Sequence, residues 1–332
     1  MYWSLDNELR RRMALTLLGL LALTLAFAAG ITGVLAWTIG WLEGLFDVSI
    51  AYETQLLLGG IITVLAAVAV FYRALKTDAV DTFGAREIDP HTEPQLHATV
   101  ARLSQLADVP MPGVYRSYRD RPLAVTTGLT TDETKLVVST GLLESLDQSE
   151  LEAVIAHEIA HIKNRDAAVM TLVELPLSSA RALGRSFQYQ TGHLQLLAIG
   201  VASYCYWALG RLLVASLARS REIAADRGAS ALIGDPASVA SALRTLDGTV
   251  PKAPDRDARE VALASMSIVP DGDDDPGPAL TYSGGRPAFW SIRRQVRRPL
   301  RWLNVRYVHP ALKTHPETTE RIERLQTIER DA

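Results

Sequence analysis

The longest uncharged segment of this chain covers residues 13–42 and is rich in Leu, Ala, Ile and Val. A helix needs about 20 apolar residues to cross a hydrocarbon core of about 30 Å, so this segment can span a membrane. It is too long for the apolar part of a signal peptide and lacks a clear cleavage site. A second uncharged segment, residues 54–72, also has spanning length. We predict two transmembrane helices, at about 13–40 and 54–72, in an N-terminal membrane anchor of residues 1–76.

Basic residues flank the two predicted spans on one side only. Arginines at positions 10–12 precede the first span, and Arg73 and Lys76 follow the second, whereas the loop between the spans has acidic residues and no basic one. Cytoplasmic flanks of membrane spans are enriched in Lys and Arg. We therefore expect a multi-pass protein of the cell membrane with its N-terminus and everything after Lys76 in the cytoplasm.

Composition excludes several classes of protein. Apolar residues make up 48% of the 332 residues and charged residues 21%, which is incompatible with a disordered or fibrous chain. The single cysteine, Cys205, cannot form an intramolecular disulfide, and we interpret it as a packing residue. A net charge of -3 gives no support for a nucleic-acid partner.

Beyond the anchor the sequence has the mixed pattern of a folded domain. Residues 93–107 have helical spacing, and residues 113–118, 123–127 and 135–140 have the character of strands. Ser149 and Glu152 have the spacing of a capping box, which predicts that a helix begins there. We predict a cytoplasmic domain over residues 77–332 that is mainly α with a small β-sheet.

The helix predicted after the capping box contains the pattern H-E-x-x-H, formed by His157, Glu158 and His161. One helical turn separates the two histidines, so both imidazoles lie on the same side of the helix and can bind one zinc ion, with the glutamate beside them as general base. The alternative is that the two histidines only line the edge of a cleft.

A catalytic zinc uses three protein ligands and keeps one position open. Glu222 and Asp226 lie four residues apart on a helical stretch predicted at about 194–233. Glu222 can complete the metal site, and Asp226 can accept a hydrogen bond from a ligand imidazole. The alternative is an ordinary exposed acidic pair on a helix.

The segments HEIAHIKNRD and REIAADRGA, preceded by two apolar spans, resemble the HtpX-type membrane zinc metalloproteases, which are relatives of the CAAX prenyl proteases. The resemblance extends from the first span to the C-terminus and includes residues 125–143. It implies an integral membrane protein with an α+β zincin-like metallopeptidase domain. It also implies that one zinc ion per subunit is bound by His157, His161 and Glu222 and that Glu158 is the general base. The supporting residues implied by the resemblance are Asp226, Asn164 and Asp166.

One segment departs from that family. Where the family usually has Asn-Ala-Phe-Ala in the edge strand that holds substrate, this chain has Leu123, Ala124, Val125 and Thr126. Main-chain pairing with an extended peptide does not depend on side-chain identity. We therefore expect this strand to bind substrate with a different side-chain preference.

Near the C-terminus, His315 and Arg321 match the His-Pro segment of the family and the arginine six residues after its histidine. The resemblance implies that these two residues stabilise the charged tetrahedral intermediate. The alternative is a helix that starts at Pro316 and carries Arg321 on a solvated face.

Two further apolar segments, at about 167–185 and 194–216, separate the histidine pair from Glu222. They contain Glu174, Arg181 and Arg211, and an unpaired charge at mid-bilayer costs about 2.5–3.5 kcal/mol. Because Glu222 must reach the same zinc as the histidines, this hairpin crosses the membrane twice or not at all. The resemblance favours two crossings, and the alternative is a partly embedded or water-facing hairpin that covers the active site.

The C-terminal third contains two unusual segments. Residues 248–285 are rich in Pro, Gly and Asp and predict a mobile acidic loop. Residues 286–307 mix arginines with aromatic residues, which is typical of contact with lipid headgroups or of a solvated helix packed on the catalytic domain.

Together these observations predict a zinc endopeptidase that is anchored in the lipid bilayer and cleaves protein substrates at the cytoplasmic face. The resemblance implies that the substrates are misfolded or damaged membrane proteins. The alternatives are a CAAX-type prenyl protease and a non-catalytic membrane scaffold with a vestigial peptidase fold. The sequence contains no signal for oligomeric state.

Overall fold

The computed structural model describes residues 7–46, 49–75, 80, 83–128, 130, 133–187, 194–249 and 316–331. Their helices are α1 Asn7–Phe46, α2 Tyr52–Leu75, α3 Pro94–Ala107, α4 Thr140–Ser145, α5 Gln148–Lys163, α6 Asp166–Phe187, α7 Leu194–Ile233, α8 Pro236–Thr249 and α9 Thr318–Asp331. Their strands are β1 Arg86–Glu87, β2 Gly113–Ser117, β3 Ala124–Thr127 and β4 Lys135–Ser139. The predicted fold class, mainly α with a small β-sheet, is confirmed.

The strands form one mixed sheet in the order β1-β2-β4-β3. Strands β2 and β4 are parallel, whereas β1 with β2 and β3 with β4 are antiparallel. In the last pair, Thr126 lies opposite Leu136 and Ala124 opposite Val138. Strand β3 ends the sheet, and its outer edge pairs with no other strand in the described part of the chain.

The main hydrophobic core lies between one face of the sheet and helices α3 and α5. Ile155 and Ile159, four residues apart on α5, pack in the same buried cluster as Leu136 and Val138 of β4. The intervening Val137 belongs to a second cluster on the opposite face. Strand β4 is therefore buried on both faces, which explains its unbroken apolar sequence.

Helix α5 carries the H-E-x-x-H pattern. Its N-cap residue lies two positions before the predicted N-cap, Ser149. Asp147 is the N-cap: its carboxylate accepts a hydrogen bond from the main-chain N–H of Glu150, and the Glu150 side chain accepts one from the N–H of Asp147. The prediction that Ser149 and Glu152 form the box was wrong. Aspartate caps a helix as well as serine does, so the two candidate boxes differ only in where the helix starts.

Within the described part of the chain, three helical segments are long and apolar enough to span a membrane: Arg11–Gly44, Tyr52–Ala69 and Leu196–Ile233. The first contains the predicted span at 13–40, the second overlaps all but the last three residues of the predicted span at 54–72, and both are almost unburied within the protein. Helices α1 and α2 pack together closely at Gly59, where an added Cβ would lie 2.9 Å from the carbonyl oxygen of Thr32. Small residues at such contacts are typical of helix pairs in membranes.

Helices α6 and α7 form the predicted hairpin and pack against α1. Leu20 of α1 shares a buried cluster with Leu177 of α6 and Val214 of α7. Two of the three charges that argued against membrane crossing pair with each other, since Nη1 of Arg211 donates to Oε1 of Glu174 at 2.6 Å, and the third, Arg181, lies over the ring of Trp207. Helix α7 continues without interruption to Ile233, as predicted from the sequence, so one helix carries both the apolar segment and Glu222.

The remaining predictions for the C-terminal third fall outside the described residues. Only positions 248 and 249 of the predicted acidic loop are described, and the basic aromatic segment at 286–307 and His315 are not.

Candidate active site

The site is built first on helix α5, where one turn separates His157 from His161. Their Nε2 atoms lie 3.1 Å apart, and the two rings are nearly perpendicular, at 86°. His161 is 1% exposed, so its ring is held inside the protein. Both imidazoles therefore direct Nε2 toward one point beside the helix.

Helix α7 packs against α5 and brings a carboxylate to the same point. Oε2 of Glu222 lies 3.5 Å from Nε2 of His157, and Oε1 lies 3.5 Å from Nε2 of His161. Glu222 is buried, 4% exposed, and does not belong to an exposed acidic pair. Two nitrogens and a carboxylate, contributed by two helices, thus converge as the sequence pattern predicts.

These donors fit a metal ion. Ligand atoms bound tetrahedrally at about 2.0–2.1 Å lie roughly 3.3 Å from one another, and the three spacings observed here are 3.1, 3.5 and 3.5 Å. Two imidazoles and one carboxylate are also the three protein ligands of many catalytic zinc sites, which keep a fourth position for water. His157, Glu158 and His161 form a cluster whose donor atoms all lie within 4.8 Å of one another.

Each imidazole is held from behind by an aspartate. Nδ1 of His157 lies 3.0 Å from Oδ1 of Asp226, and Nδ1 of His161 lies 2.5 Å from Oδ2 of Asp166. An ionised carboxylate only accepts hydrogen bonds, so each Nδ1 donates its proton to an aspartate, and Nε2 is the nitrogen that each ring presents to a metal.

A turn with an uncommon backbone conformation brings Asp166 to His161. Arg165, between α5 and α6, has φ of 56°, a left-handed conformation that few residues other than glycine adopt. The chain therefore reverses at once, and the first residue of α6 lies against the last turn of α5. Asn164 is the C-cap of α5, and among the described residues its side-chain oxygen has no hydrogen-bond partner.

Each of these aspartates also faces an arginine. Nε and Nη2 of Arg321 donate to Oδ2 and Oδ1 of Asp226 at 2.7 and 2.6 Å. Nε of Arg221 lies 2.9 Å from Oδ1 of Asp166, in a buried ion pair. The ion pairs offset the cost of burying two carboxylates beside the imidazoles.

Arg221 is a residue that the sequence reasoning missed. It is 2% exposed and directly precedes Glu222, so helix α7 contributes both a donor to the metal site and the partner of Asp166. The sequence could have indicated its role, because Arg221 lies among apolar residues of a helix and a buried arginine needs a charged partner.

The charges around His157 also affect its protonation. Burial alone would lower the pKa of His157 by disfavouring the imidazolium, but the hydrogen bonds and negative charges of Asp226 and Glu222 outweigh burial and raise its pKa to about 9. Without a metal this imidazole is protonated at neutral pH, and a cation would replace that proton beside Glu222.

Glu158 lies on α5 beside strand β3, the edge strand expected to hold substrate. Its Oε2 accepts a hydrogen bond from Oγ1 of Thr126 at 3.0 Å, and both side chains are buried. Of the expected segment, Leu123 precedes the strand, and the strand itself starts at Ala124. The hydroxyl contact of Thr126 with Glu158 is a second feature that the sequence reasoning missed.

Arg321 lies at the same site rather than on a solvated face, because its side chain is 12% exposed and its Nη1 lies 3.6 Å from Oε2 of Glu222. Helix α9 begins at Thr318, two residues after Pro316. The expected partner of Arg321 in stabilising an oxyanion, His315, lies outside the described residues.

A helix with H-E-x-x-H beside a sheet edge, completed by a glutamate from a second helix, defines a metallopeptidase. A family model described as "Peptidase family M48" matches residues 90–329. The chain therefore belongs to peptidase family M48, and with its long apolar helices it is a membrane metallopeptidase.

Similar proteins agree with this assignment. A "Protease HtpX homolog" of Moorella thermoacetica is 34% identical over 276 residues, covering 80% of this chain and 86% of that protein. "Protease HtpX homolog 2" of Methanosarcina mazei is 36% identical over 200 residues, or 57% of this chain and 67% of that protein. "Protease HtpX homolog 1" of Streptomyces coelicolor is 31% identical over 284 residues, or 82% and 86%. The resemblance to HtpX-type proteases is confirmed.

Among solved structures, the "Crystal Structure of S. mikatae Ste24p" matches with a TM-score of 0.44 and 14% identity. That match covers 93% of this chain and 66% of the Ste24p chain.

Proposed function

We propose that this protein is a membrane-anchored zinc endopeptidase in which His157, His161 and Glu222 bind one zinc ion per subunit and Glu158 is the general base. The observation that carries the proposal is the convergence of two Nε2 atoms and one carboxylate, with each Nδ1 bound to an aspartate. That arrangement aims three donors at one point, as a catalytic zinc requires, and a bound zinc ion would take the place of the Nε2 proton of His157.

When bound, zinc would supply Lewis acidity that polarises the scissile carbonyl and acidifies the attacking water. The carboxylate of Glu158 accepts the proton of that water and delivers it to the nitrogen of the leaving amine. Strand β3 binds the peptide by main-chain pairing along its outer edge. Asp226 and Asp166 keep the imidazoles oriented, and Asn164 supports the turn that carries Asp166.

Arg321 has two roles in this proposal. Its two hydrogen bonds to Asp226 orient the carboxylate behind His157. Its positive charge lies 3.6 Å from Glu222 and hence beside the proposed metal position, where with His315 it would stabilise the oxyanion.

The proposed topology has a membrane anchor at residues 1–76 and a cytoplasmic peptidase domain at 77–332, interrupted by the α6–α7 hairpin, which crosses the cell membrane twice. Two observations support the crossing: the hairpin packs on the apolar helix α1, and the charges of Glu174 and Arg211 pair within it. A paired charge avoids most of the cost of an isolated one in hydrocarbon. The basic flank at Arg11 and Arg12 supports the cytoplasmic orientation.

Misfolded or damaged membrane proteins are the proposed substrates. Because the spanning helix α7 also carries Glu222, the metal site lies a short helical distance from the membrane, within reach of loops or unfolded segments of neighbouring membrane proteins. The extended edge strand β3 accepts an unfolded segment regardless of its side chains.

Purified full-length protein in detergent or lipid nanodiscs tests the proposal with an unfolded membrane protein as substrate. Cleavage should stop on chelation, return with zinc, and be lost in Glu158→Gln, which should still bind one zinc ion. Retained proteolysis by zinc-loaded Glu158→Gln would contradict the mechanism.

The same assay distinguishes the two alternative functions. Cleavage of a prenylated peptide but not of the unfolded membrane protein would favour the CAAX-type alternative. Absence of stoichiometric zinc would favour the non-catalytic scaffold.

A further inference from the structure

Thr126 connects the substrate-binding edge of the sheet to helix α5. Side chains alternate along a strand, and Val125 packs in the cluster with Phe83 and Val137 on the opposite face of the sheet. Thr126 therefore points toward α5 and is 3% exposed. Its main chain pairs with Leu136 of β4, so the residue is held by the sheet as well as by the helix.

The Thr126 hydroxyl contacts the proposed general base directly. Oγ1 lies 3.0 Å from Oε2 of Glu158, which is itself 4% exposed. A buried carboxylate needs hydrogen-bond donors, and a bond from a hydroxyl to an ionised oxygen is stronger than one between neutral groups. Threonine is also restricted at χ1, so the strand holds the hydroxyl in place.

We propose that Thr126 is a positioning residue that fixes the carboxylate of Glu158 relative to a peptide paired with strand β3. The inference rests on the proposed function, because it assigns a role through the general base. Proton transfer requires the base within hydrogen-bond reach of the attacking water, and a misplacement of about 1 Å can cost roughly 10²-fold in rate. Because Thr126 connects Glu158 to the strand that holds the substrate, it keeps the distance between the Glu158 carboxylate and the scissile bond constant.

The test compares four variants of full-length protein in detergent: Thr126→Val, Thr126→Ala, Thr126→Ser and, as a control for loss of another buried threonine hydroxyl, Thr99→Val on α3. We expect Thr126→Val and Thr126→Ala to lower kcat about tenfold with KM within about twofold of the natural protein. Thr126→Ser should restore most of kcat, and Thr99→Val should leave it unchanged.

Two measurements without turnover accompany the kinetics. Zinc content should stay at one ion per chain in all variants, and the chelated proteins should bind an uncut fluorescent peptide with unchanged Kd. A kcat of Thr126→Val and Thr126→Ala within twofold of the natural value would overturn the proposal, as would a matching loss of peptide affinity or of zinc. Cleavage by the natural protein that resists chelation would instead overturn the proposed function, whatever the Thr126 variants do.

Discussion

Arg321 and Asp226 form a two-point ion pair between helices α9 and α7, with Nε and Nη2 of the arginine 2.7 and 2.6 Å from the two carboxylate oxygens. The same carboxylate accepts the hydrogen bond of His157 Nδ1. The C-terminal helix therefore contacts the candidate metal site, although 95 positions separate the two residues in sequence.

Replacing Arg321 by alanine should destabilise the protein by about 3–5 kcal/mol, because it removes the two-point arginine partner of the buried Asp226 carboxylate and leaves only His157 against it. Denaturant unfolding of the chelated protein measures this without the contribution of bound zinc. Arg324→Ala is the matched control: Arg324 pairs with Glu320 on the same helix, but both side chains are about half exposed, so its loss should cost less than about 1 kcal/mol. An equal loss of unfolding free energy in the two variants would show that the Arg321–Asp226 pair stabilises the protein no more than an exposed pair does.

Replacing Asp166 by asparagine should weaken zinc binding about 10–100-fold, because an amide holds the His161 Nδ1–H less firmly and carries no charge. Competition with a chromogenic chelator gives the zinc affinity. Asp235→Asn serves as control, since Asp235 is exposed and binds only the start of helix α8 in the contacts observed here. Unchanged zinc affinity in Asp166→Asn would mean that Asp166 does not support the ligand.

Neutralising one member of the Glu174–Arg211 pair should destabilise the α6–α7 hairpin more than neutralising both. Glu174→Gln or Arg211→Met alone removes one charge of this ion pair and leaves the other in place, whereas the double variant removes both charges. We expect the thermal midpoint in nanodiscs to fall by several degrees in each single variant and to recover in the double variant. Additive losses would show that the two charges are not coupled.

Cysteine labelling tests the membrane topology. In a Cys205→Ala background, Ser49→Cys between α1 and α2 and Gly192→Cys between α6 and α7 should react with an impermeant maleimide on intact cells. Ala101→Cys on the exposed side of α3 should react only after the cells are permeabilised. Labelling of Gly192→Cys only after permeabilisation would mean that the hairpin does not cross the membrane.

Patterns local to one helix were readable in the sequence. His157 and His161 share a face because α-helical geometry sets residues four apart on the same side, and Glu222 and Asp226 follow the same rule. The helix of Leu194–Ile233 and the three longer strands were predicted to within one residue, since apolar periodicity reports local structure. The start of α5 was misplaced because Asp147 and Ser149 are both competent caps, and the sequence does not rank them.

The sequence by itself determined which side chains have the chemistry of a metal site and that long helices have the length and apolarity to cross a membrane. Only the tertiary structure decided which groups support that site: Arg221 at Asp166, Arg321 at Asp226 and Thr126 at Glu158. These contacts join residues from different elements, and their distances depend on how α7, α9 and β3 pack around α5. Helical period and composition carry no information on such packing, because it is set by the shapes and burial of many side chains at once.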